Sequence, residues 1–396
     1  MAKSIKNNVY WTGKVDWSLR KFHGDELSTH RGSTYNSYLI REGKNILIDT
    51  VWAPFAKEFV AELTQAIDLK RIDAVIAQHG EIDHSGALPE LLRHIPDVPV
   101  YCTANGVKSL KGHYHADWNF KPVKTGDKID IGNGKELIFV EAPMLHWPDT
   151  MFTYMTKDNI LFSNDAFGQH YGTDKLFNDL VDREELYAEA VKYYANILTP
   201  FNRMVDKKIK EFVAMNLPLD MICTSHGIIW RDNPKQIVEA YLKWSADYQE
   251  NQITILYDTM WEGTRAIAET IAKGIREADK DVAIKVFRLS NADKNDAITE
   301  VFKSKAVLVG SPTINKGILT GVAGISEEIK GMGFKNKKAA AFGCYGWSGE
   351  SVKLLNEELK KCGFTLANEG INALWNPDAQ AIEKCLEFGK AFAQTV

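Results

Sequence analysis

The sequence predicts an α/β protein of two domains, the second of which is a doubly wound parallel sheet. Two observations support this fold class. At 396 residues the chain is too long for one ordinary hydrophobic core. The pattern of predicted elements also changes near residue 250, where scattered short strands are followed by a regular alternation of strands and helices. We therefore place the boundary within "YQENQ", with one domain over residues 1–249 and the other over residues 250–396.

Short strands and amphipathic helices make up the predicted first domain. The strands include "NSYLI", "KNILIDT", "RIDAVIAQ", "PVYC" and "KELIFVEAP". Helical spacing of apolar residues predicts helices near 54–68, 183–213 and 234–248.

In the predicted second domain, each strand is followed by a helix. The strands are "QITILYD", "VAIKVFRL", "KAVLVGS" and "KAAAFGC", and the helices follow near 263–275, 294–303, 322–330 and 350–361. This order is typical of a parallel sheet with crossover helices.

Composition and charge exclude several classes of protein. The net charge of -4 gives no basic surface for nucleic acid. No apolar run approaches the length of a membrane span, and "MAKSIKNNVYW" lacks the apolar core of a signal peptide. The five cysteines are scattered and contain no CxxC pair. We expect a cytoplasmic protein without a nucleic-acid or membrane partner.

The stretch "AQHGEIDHSGALPELL" places two imidazoles and two carboxylates on a predicted strand-to-helix loop. A solvated polar loop is the ordinary interpretation of a lone pair of histidines. The spacing H-x-E-x-D-H is more specific, because alternate residues of an extended segment point the same way and converge. One ion cannot easily use all four side chains, so the spacing favours two adjacent ions.

Three other strand ends offer further ligands. His146 follows a strand in "EAPMLHWPDT", Asp165 ends one in "NILFSNDAFG", and His226 ends one in "MICTSHGIIW". Taken singly, each is as easily a structural residue as a ligand. The remaining histidines considered are interpreted as helix, loop or surface residues that bind no metal: His30, His94, His113, His115 and His170.

The order HxExDH, followed by His146, Asp165 and His226, resembles the metallo-β-lactamase fold in its iron form. With the second half, the chain resembles the flavodiiron proteins, also called A-type flavoproteins. The similarity runs over nearly the whole chain and includes "THRGSTYNSYLI", "APMLHWPDTMFTY", "SNDAFGQH", "YYANI" and "SHGIIW". It implies a metallo-β-lactamase-like αββα sandwich followed by a flavodoxin-like doubly wound parallel sheet.

The resemblance also implies a ligand set. Zinc hydrolases of this fold usually read HxHxDH, and Glu81 here replaces the second histidine with a hard oxygen ligand, which suits iron. His23 and Tyr194 fall in matching stretches. They are expected to line the pocket as hydrogen-bond donors outside the set of metal ligands. The implied ligands are His79, Glu81 and His146 for one iron, Asp83, His84 and His226 for the other, and Asp165 as the bridge.

Three loops of the second domain predict a flavin site. "DTMWEGT" brings hydroxyls and free amides to a helix start, where a phosphate binds readily. "GSPTIN" and "GCYGWSG" follow later strands and meet it at the carboxyl edge of the sheet. Aromatic faces over a planar ring with one phosphate below describe flavin mononucleotide (FMN). The predicted residues are Thr259, Met260, Trp261, Gly263, Thr264, Ser311, Pro312, Thr313, Ile314, Asn315, Gly343, Tyr345, Gly346, Trp347, Ser348 and Gly349.

The activity follows from the resemblance. It implies that FMN passes electrons to a non-haem diiron centre, which reduces O2 to water, NO to N2O, or both. Without a CxxC module, the expected donor is a separate rubredoxin or a reduced deazaflavin. Domains of about 250 and 145 residues would put the two sites roughly 30 to 40 Å apart in one chain. A head-to-tail homodimer, or a dimer of dimers, is therefore implied.

Other classes remain as alternatives. A zinc hydrolase of the same fold, fused to an electron-carrying flavodoxin domain, is the nearest one, but Glu81 and the flavin loops disfavour it. A flavodoxin-like carrier with a metal-free first domain conflicts with the seven filled ligand positions. "GWSGE" does not fit the GxSxG spacing of a serine hydrolase. No residue decides between O2 and NO.

Overall fold

The computed structural model describes residues 2–396, and the chain divides into two compact units. The first comprises the chain up to Tyr194 together with Phe201–Leu242. The second comprises Ala195–Pro200 together with Lys243–Val396. The boundary between residues 249 and 250 stays a prediction.

Two sheets form the centre of the first unit. The longer sheet has the strand order β1-β2-β7-β8-β9-β10-β11 and the shorter one β12-β13-β14-β15-β16, while β3–β6 and β4–β5 form small pairs. These strands are β1 (Lys3–Lys6), β2 (Val9–Trp11), β3 (Lys14–Asp16), β4 (Lys21–Phe22), β5 (Leu27–Ser28), β6 (Ser33–Tyr35), β7 (Tyr38–Arg41), β8 (Asn45–Ile48), β9 (Ala74–Ile76), β10 (Val100–Thr103), β11 (Phe120–Val123), β12 (Lys128–Gly132), β13 (Lys135–Glu141), β14 (Met151–Met155), β15 (Ile160–Asn164) and β16 (Met221–Thr224).

Helices cover the outer faces of these sheets. They are α1 (Ala56–Ala66), α2 (Ile82–Ser85), α3 (Leu88–His94), α4 (Ala104–Tyr114), α5 (Arg183–Tyr193), α6 (Asn202–Ala214) and α7 (Lys235–Ser245), the last of which runs across the division between the units. Because side chains alternate along a strand, β14 faces two layers. Met151 and Met155 enter the core between the sheets, while Phe152 packs edge-on against Phe212 of α6. Leu63 of α1 and Leu91 of α3 pack outside the longer sheet. The predicted αββα sandwich is confirmed.

The helix predicted over 183–213 is not continuous. α5 ends at Tyr193, a π turn covers Tyr194–Leu198, and a 3-10 turn covers Thr199–Phe201 before α6 begins. Pro200 explains the interruption, because proline has no backbone N–H to donate and its ring clashes with the preceding turn.

The second unit is built on one parallel sheet. Its order is β18-β17-β19-β20, with β21 and β22 both pairing beyond β20. This is the 2-1-3-4-5 order of flavodoxin-like folds, as predicted. The strands are β17 (Glu250–Tyr257), β18 (Ala283–Arg288), β19 (Ser304–Gly310), β20 (Lys338–Tyr345), β21 (Thr365–Leu366) and β22 (Ile371–Leu374). The helices are α8 (Gly263–Ala278), α9 (Lys294–Lys303), α10 (Thr320–Met332), α11 (Ser351–Lys361) and α12 (Ala379–Gln394).

Both faces of this parallel sheet are buried. Ile255 and Leu308 face α8 and α12 in one apolar core, and the alternate residues Leu256 and Val309 are also fully buried. Among residues 2–396, none of the helices combines the length and apolar character that spanning a bilayer requires.

Candidate metal centre and cofactor pocket

Seven side chains of the first unit meet at the ends of its strands. β9 ends before the loop that carries His79 and Glu81, and α2 then carries Asp83 and His84. The others follow β13, β15 and β16: His146, Asp165 and His226. All are buried except Glu81, whose side chain is 13% exposed. They fall into two groups that can each hold a metal ion, one with His79, Glu81, His146 and Asp165 and one with Asp83, His84 and His226.

The first group is closely spaced. Glu81 Oε2 lies 3.1 Å from His79 Nε2 and 3.4 Å from His146 Nε2. Asp165 Oδ2 lies 3.6 Å and 3.5 Å from the same two nitrogen atoms. Four ligand atoms therefore surround one point.

The second group uses the other oxygen of Asp165. Asp165 Oδ1 lies 3.1 Å from His84 Nε2 and 3.4 Å from His226 Nε2. Asp83 Oδ2 lies 3.3 Å and 2.9 Å from these nitrogen atoms. One carboxylate thus contributes an oxygen to each group, which is the arrangement of a bridging ligand.

The spacing fits metal ions better than hydrogen bonds. Ligand atoms about 2.1 Å from one ion, at tetrahedral or octahedral angles, lie about 3.0 to 3.4 Å apart. Both oxygens of Asp165 and Asp83 Oδ1 are buried without a hydrogen-bond partner among residues 2–396. Since unpartnered buried carboxylate oxygens are costly, the donor set suits a pair of cations. Its mixture of carboxylates and imidazoles suits iron.

Hydrogen bonds behind the ligands fix two of the imidazoles. His79 Nδ1 lies 3.1 Å from Asp149 Oδ1, and Asp149 Oδ2 accepts from the Gly80 amide at 2.7 Å. His226 Nδ1 lies 2.6 Å from the Thr34 carbonyl oxygen. An N–H at Nδ1 leaves the Nε2 lone pair free for a metal. Asp149 was not predicted from the sequence, where its only signal is a carboxylate three residues after His146.

The three carboxylates make this centre strongly attractive to positive charge. Burial raises the pKa of Glu81, but hydrogen bonds from His146, His23 and His79 outweigh it and hold that pKa far below the usual range. Burial opposes the charged form of His84, yet Asp165 and Asp83 raise its pKa to about 9. The site therefore favours positive charge where metal ions would lie.

Of the two predicted outer donors, one lies at the centre. His23 Nε2 is 2.7 Å from Glu81 Oε1. The prediction for Tyr194 is wrong, because its hydroxyl donates to Asn202 Oδ1 at 2.8 Å and its ring packs edge-on against Tyr241. The neighbouring Tyr193 lies there instead, with its ring 5.2 Å from the His170 ring. Consecutive helical residues point about 100° apart, so an error of one residue changes the face.

His170 is not a surface residue. It belongs to neither ligand group, as predicted, but it is only 4% exposed and its ring lies 4.9 Å from the His226 ring. Its Nδ1 lies 2.7 Å from Ser33 Oγ. Burial and the neighbouring His226 lower the pKa of His170, which keeps the ring neutral.

A cavity of about 660 Å³ opens at the carboxyl edge of the parallel sheet in the second unit. Eleven predicted flavin residues line it: Met260, Trp261, Gly263, Pro312, Thr313, Ile314, Asn315, Tyr345, Gly346, Trp347 and Ser348. Four lining residues were not predicted: Lys316, Cys344, Trp375 and Asn376. Five predicted residues are not among those that line the cavity, and their part in the flavin site stays a prediction: Thr259, Thr264, Ser311, Gly343 and Gly349.

Three of these residues lie behind the wall for identifiable reasons. Ser311 Oγ is occupied by the Leu319 amide at 3.0 Å. Gly343 packs against Ser311, whose carbonyl oxygen would lie 2.2 Å from a Cβ there. Thr264 is fully buried in the first turn of α8.

The cavity fits FMN at both ends. α8 begins at Gly263 with free amides, and Thr259 Oγ1 is buried without a hydrogen-bond partner among residues 2–396, so the inner end suits a phosphate. At the mouth, Trp261 and Trp347 are 83% and 86% exposed and offer flat faces to a planar ring.

An αββα sandwich with a paired metal centre, joined to a flavodoxin-like sheet with a flavin-sized cavity, defines a flavin- and metal-dependent oxidoreductase. Residues 34–227 match the family described as ODP family beta lactamase, and residues 255–389 match flavodoxin. The chain belongs to the flavodiiron protein family.

Relatives found by sequence and relatives of known structure both support this assignment. Anaerobic nitric oxide reductase flavorubredoxins from Salmonella arizonae and Citrobacter koseri are each 56% identical over 395 residues, covering 100% of this chain and 82% of the relative. The rubredoxin oxygen:oxidoreductase of Desulfovibrio gigas matches with a TM-score of 0.96 at 34% identity, covering 100% of this chain and 98% of that chain. The flavodiiron protein of Giardia intestinalis matches with a TM-score of 0.94 at 30% identity, covering 100% and 96%.

Proposed function

We propose that this chain reduces nitric oxide to nitrous oxide with electrons supplied through FMN. Two NO molecules, two electrons and two protons give one N2O and one water. The observation that carries the proposal is the placement of Asp165, whose two oxygens reach two separate groups of ligands. Two adjacent metal positions suit a reaction that joins two identical diatomic molecules. The relatives named as nitric oxide reductases, at 56% identity, support NO as the substrate.

We assign the ligand groups to iron. When bound, FMN supplies stored electrons and the iron pair supplies two adjacent redox-active Lewis acids. Glu81 supports iron over zinc because it adds a hard anionic oxygen where zinc hydrolases of this fold have an imidazole. The proposed assignment is His79, Glu81 and His146 to one iron, Asp83, His84 and His226 to the other, and Asp165 to both.

The surrounding residues orient these ligands. His23 Nε2 lies within hydrogen-bond distance of Glu81 Oε1, so a proton held there fixes that carboxylate. Asp149 and the Thr34 carbonyl hold the rings of His79 and His226. Phe22 packs an apolar ring beside His23 and His170, at ring distances of 4.3 and 4.7 Å.

Reduction of O2 to water, with four electrons and four protons, is the second candidate. It rests on the likeness to the Desulfovibrio gigas protein, which is named an oxygen oxidoreductase and is 34% identical. The higher identity of the nitric oxide reductases favours NO.

We extend the proposal to partners and location. An external rubredoxin or a reduced deazaflavin serves as the electron donor, and the name of the Desulfovibrio gigas relative, rubredoxin oxygen:oxidoreductase, supports the first of these. Two domains of this size would separate the flavin from the metal centre by roughly 30 to 40 Å within one chain, a gap that slows electron transfer, so we infer a head-to-tail homodimer or a dimer of dimers. The five cysteines are all free, which is typical of a reducing cytoplasm.

The test is gas turnover by the intact protein. Iron-loaded protein with photoreduced FMN is mixed anaerobically with NO, and NO loss is followed by electrode and N2O by gas chromatography. One N2O for every two NO, faster than O2 consumption under matched conditions, supports the proposal. Faster O2 consumption would select the second candidate, and absence of both reactions would overturn the function.

A further inference from the structure

Lys316 is the only charged side chain on the wall of the cofactor pocket within the described residues 2–396. The rest of that wall is aromatic, small or neutral, and it contains no Asp or Glu. A cation in such surroundings attracts negative charge on a bound ring, because no carboxylate on the wall offsets the charge of the cation.

A tight turn holds this lysine in place. The Ile314 amide donates to the Gly317 carbonyl oxygen at 3.2 Å, and the Gly317 amide donates back to Ile314 at 2.7 Å. Between them, Asn315 and Lys316 have φ angles of 49° and 57°. Turns with two left-handed residues favour Asn followed by Gly. A lysine in the second position carries strain that glycine avoids, which is the kind of outlier found at functional sites.

The ammonium group is available for a ligand. Lys316 is exposed, and no hydrogen bond or ion pair engages its Nζ among residues 2–396. Two cations, one on α8 and one on β18, differ in this respect. Arg265 and Arg288 both pair with Glu262, at 3.3 and 3.2 Å.

FMN can carry negative charge on its phosphate and on its ring, and the position of Lys316 distinguishes between these two parts. The phosphate end of the pocket is the buried start of α8, where Thr264 is fully buried. Thr313 is tied at strand level by its amide to the Cys344 carbonyl oxygen at 2.9 Å. Lys316 follows Thr313 by three residues in an exposed turn, and it lines the same cavity as the exposed Trp261 and Trp347.

Ring charge changes with redox state. Oxidised flavin is a neutral ring, and uptake of two electrons and one proton gives a hydroquinone anion with its charge over N1 and the C2 carbonyl. We propose that Lys316 pairs with this negative charge, so that the chain binds reduced FMN more tightly than it would without the lysine. The inference rests on the FMN part of the proposed function.

Binding and potential are linked in a closed cycle. Loss of affinity for the reduced form alone lowers the two-electron potential, and a tenfold loss corresponds to about 30 mV. A purely structural role of the turn would instead change both redox states together.

The experiment compares four variants of the full chain: Lys316→Met, Lys316→Gly, Lys316→Arg and Lys335→Met. The glycine variant removes the charge while relieving the turn, the arginine variant keeps the charge, and Lys335 is an exposed lysine before β20, at the opposite end of the sheet. The measurements are the dissociation constants of oxidised and reduced FMN and of riboflavin, together with the flavin potential from dye equilibration.

We expect Lys316→Met and Lys316→Gly to bind reduced flavin about tenfold more weakly, with oxidised binding changed less than about twofold, for FMN and riboflavin alike. Lys316→Arg and Lys335→Met should match the wild type. An equal loss in both redox states, seen with FMN but not riboflavin, would assign Lys316 to the phosphate and overturn the inference. Unchanged potentials would also overturn it. Failure of the wild type to bind FMN would instead contradict the proposed function.

Discussion

The metal centre and the flavin pocket achieve binding in opposite ways. Around the metal centre, His79 and Asp165 are 1% exposed, and Asp149 fixes one of the rings from behind. At the mouth of the flavin pocket, Trp261 and Trp347 are more than four-fifths exposed. The first site is buried and its ligands are held by hydrogen bonds from behind, whereas the second presents exposed aromatic faces that a bound flavin would cover. Substitutions should therefore be severe at the centre and graded at the pocket.

Asp165→Ala should have the largest effect. It removes an oxygen from both ligand groups and leaves the imidazoles of both without their shared carboxylate. We expect loss of both irons and at least a 100-fold fall in NO consumption, with FMN retained. Elemental analysis, the flavin spectrum and an NO electrode provide the measurements.

The matched control is Asp174→Ala, whose side chain is 75% exposed. It should keep iron, flavin and turnover. Full iron content in Asp165→Ala would show that the two ligand groups do not depend on this residue.

Asp149→Ala should weaken metal binding without abolishing it. The His79 ring loses the acceptor at its Nδ1 but keeps its place in the loop. Losing such a partner typically costs 10 to 100-fold in metal affinity, so we expect a fall of about that size. Competition with a chelator measures it. Asp149→Asn, which keeps an acceptor oxygen, should have a metal affinity between those of the wild type and Asp149→Ala. Wild-type metal affinity in Asp149→Ala would contradict the proposed role of Asp149 in holding the His79 ring.

Trp347→Ala tests the other side of the comparison. An exposed aromatic face contributes about 0.5 to 1.5 kcal/mol to stacking, so FMN affinity should fall about 2 to 12-fold while iron content stays unchanged. Fluorescence titration gives the affinity. Trp17→Ala, at a residue 56% exposed in the first unit, is the control. Equal affinities in Trp347→Ala and the wild type would remove this residue from the flavin site.

The remaining prediction concerns Lys337, a buried charge in the second unit. It is 2% exposed and its Nζ donates to the Phe302 and Ser304 carbonyl oxygens at 3.0 and 2.5 Å. Burial lowers the pKa of Lys337 to about 7, below the usual 10.5. The unfolded chain therefore binds the proton more tightly, and the free energy of unfolding should rise with pH between about 7 and 10.5.

The rise should be at most about 1.4 kcal/mol per pH unit. Urea unfolding of the full chain at several pH values, compared with Lys337→Met, measures it. The variant should lose this part of the slope. Identical slopes in both proteins would show that the lysine titrates normally.

Elements with strong periodicity or spacing were predictable from the sequence. The alternation of strands and helices after residue 250 predicted the parallel sheet, and HxExDH predicted two adjacent ligand groups. The expected convergence of His79, Glu81 and Asp83 on one extended segment is wrong, because Asp83 lies on α2 and belongs to the second group. These patterns are local, so one sequence contains enough of them to predict the structure.

Features that depend on the direction in which a side chain points were not predictable from the sequence. Tyr193 and Tyr194 are adjacent and chemically identical, and only the end of α5 decides which one faces His170. His170 is buried by packing from distant segments, including Phe22 and Ser33. Lys316 resembled an ordinary surface lysine, because glycine is absent from the two left-handed positions of the turn that brings it to the pocket.

The most direct test of the central claim is a Mössbauer spectrum of the protein loaded with the iron-57 isotope, combined with its iron content. If Asp165 joins two metal positions, the oxidised protein should contain two irons per chain and give the diamagnetic spectrum of a magnetically coupled pair. A single iron per chain, or two irons with independent paramagnetic spectra, would contradict the account.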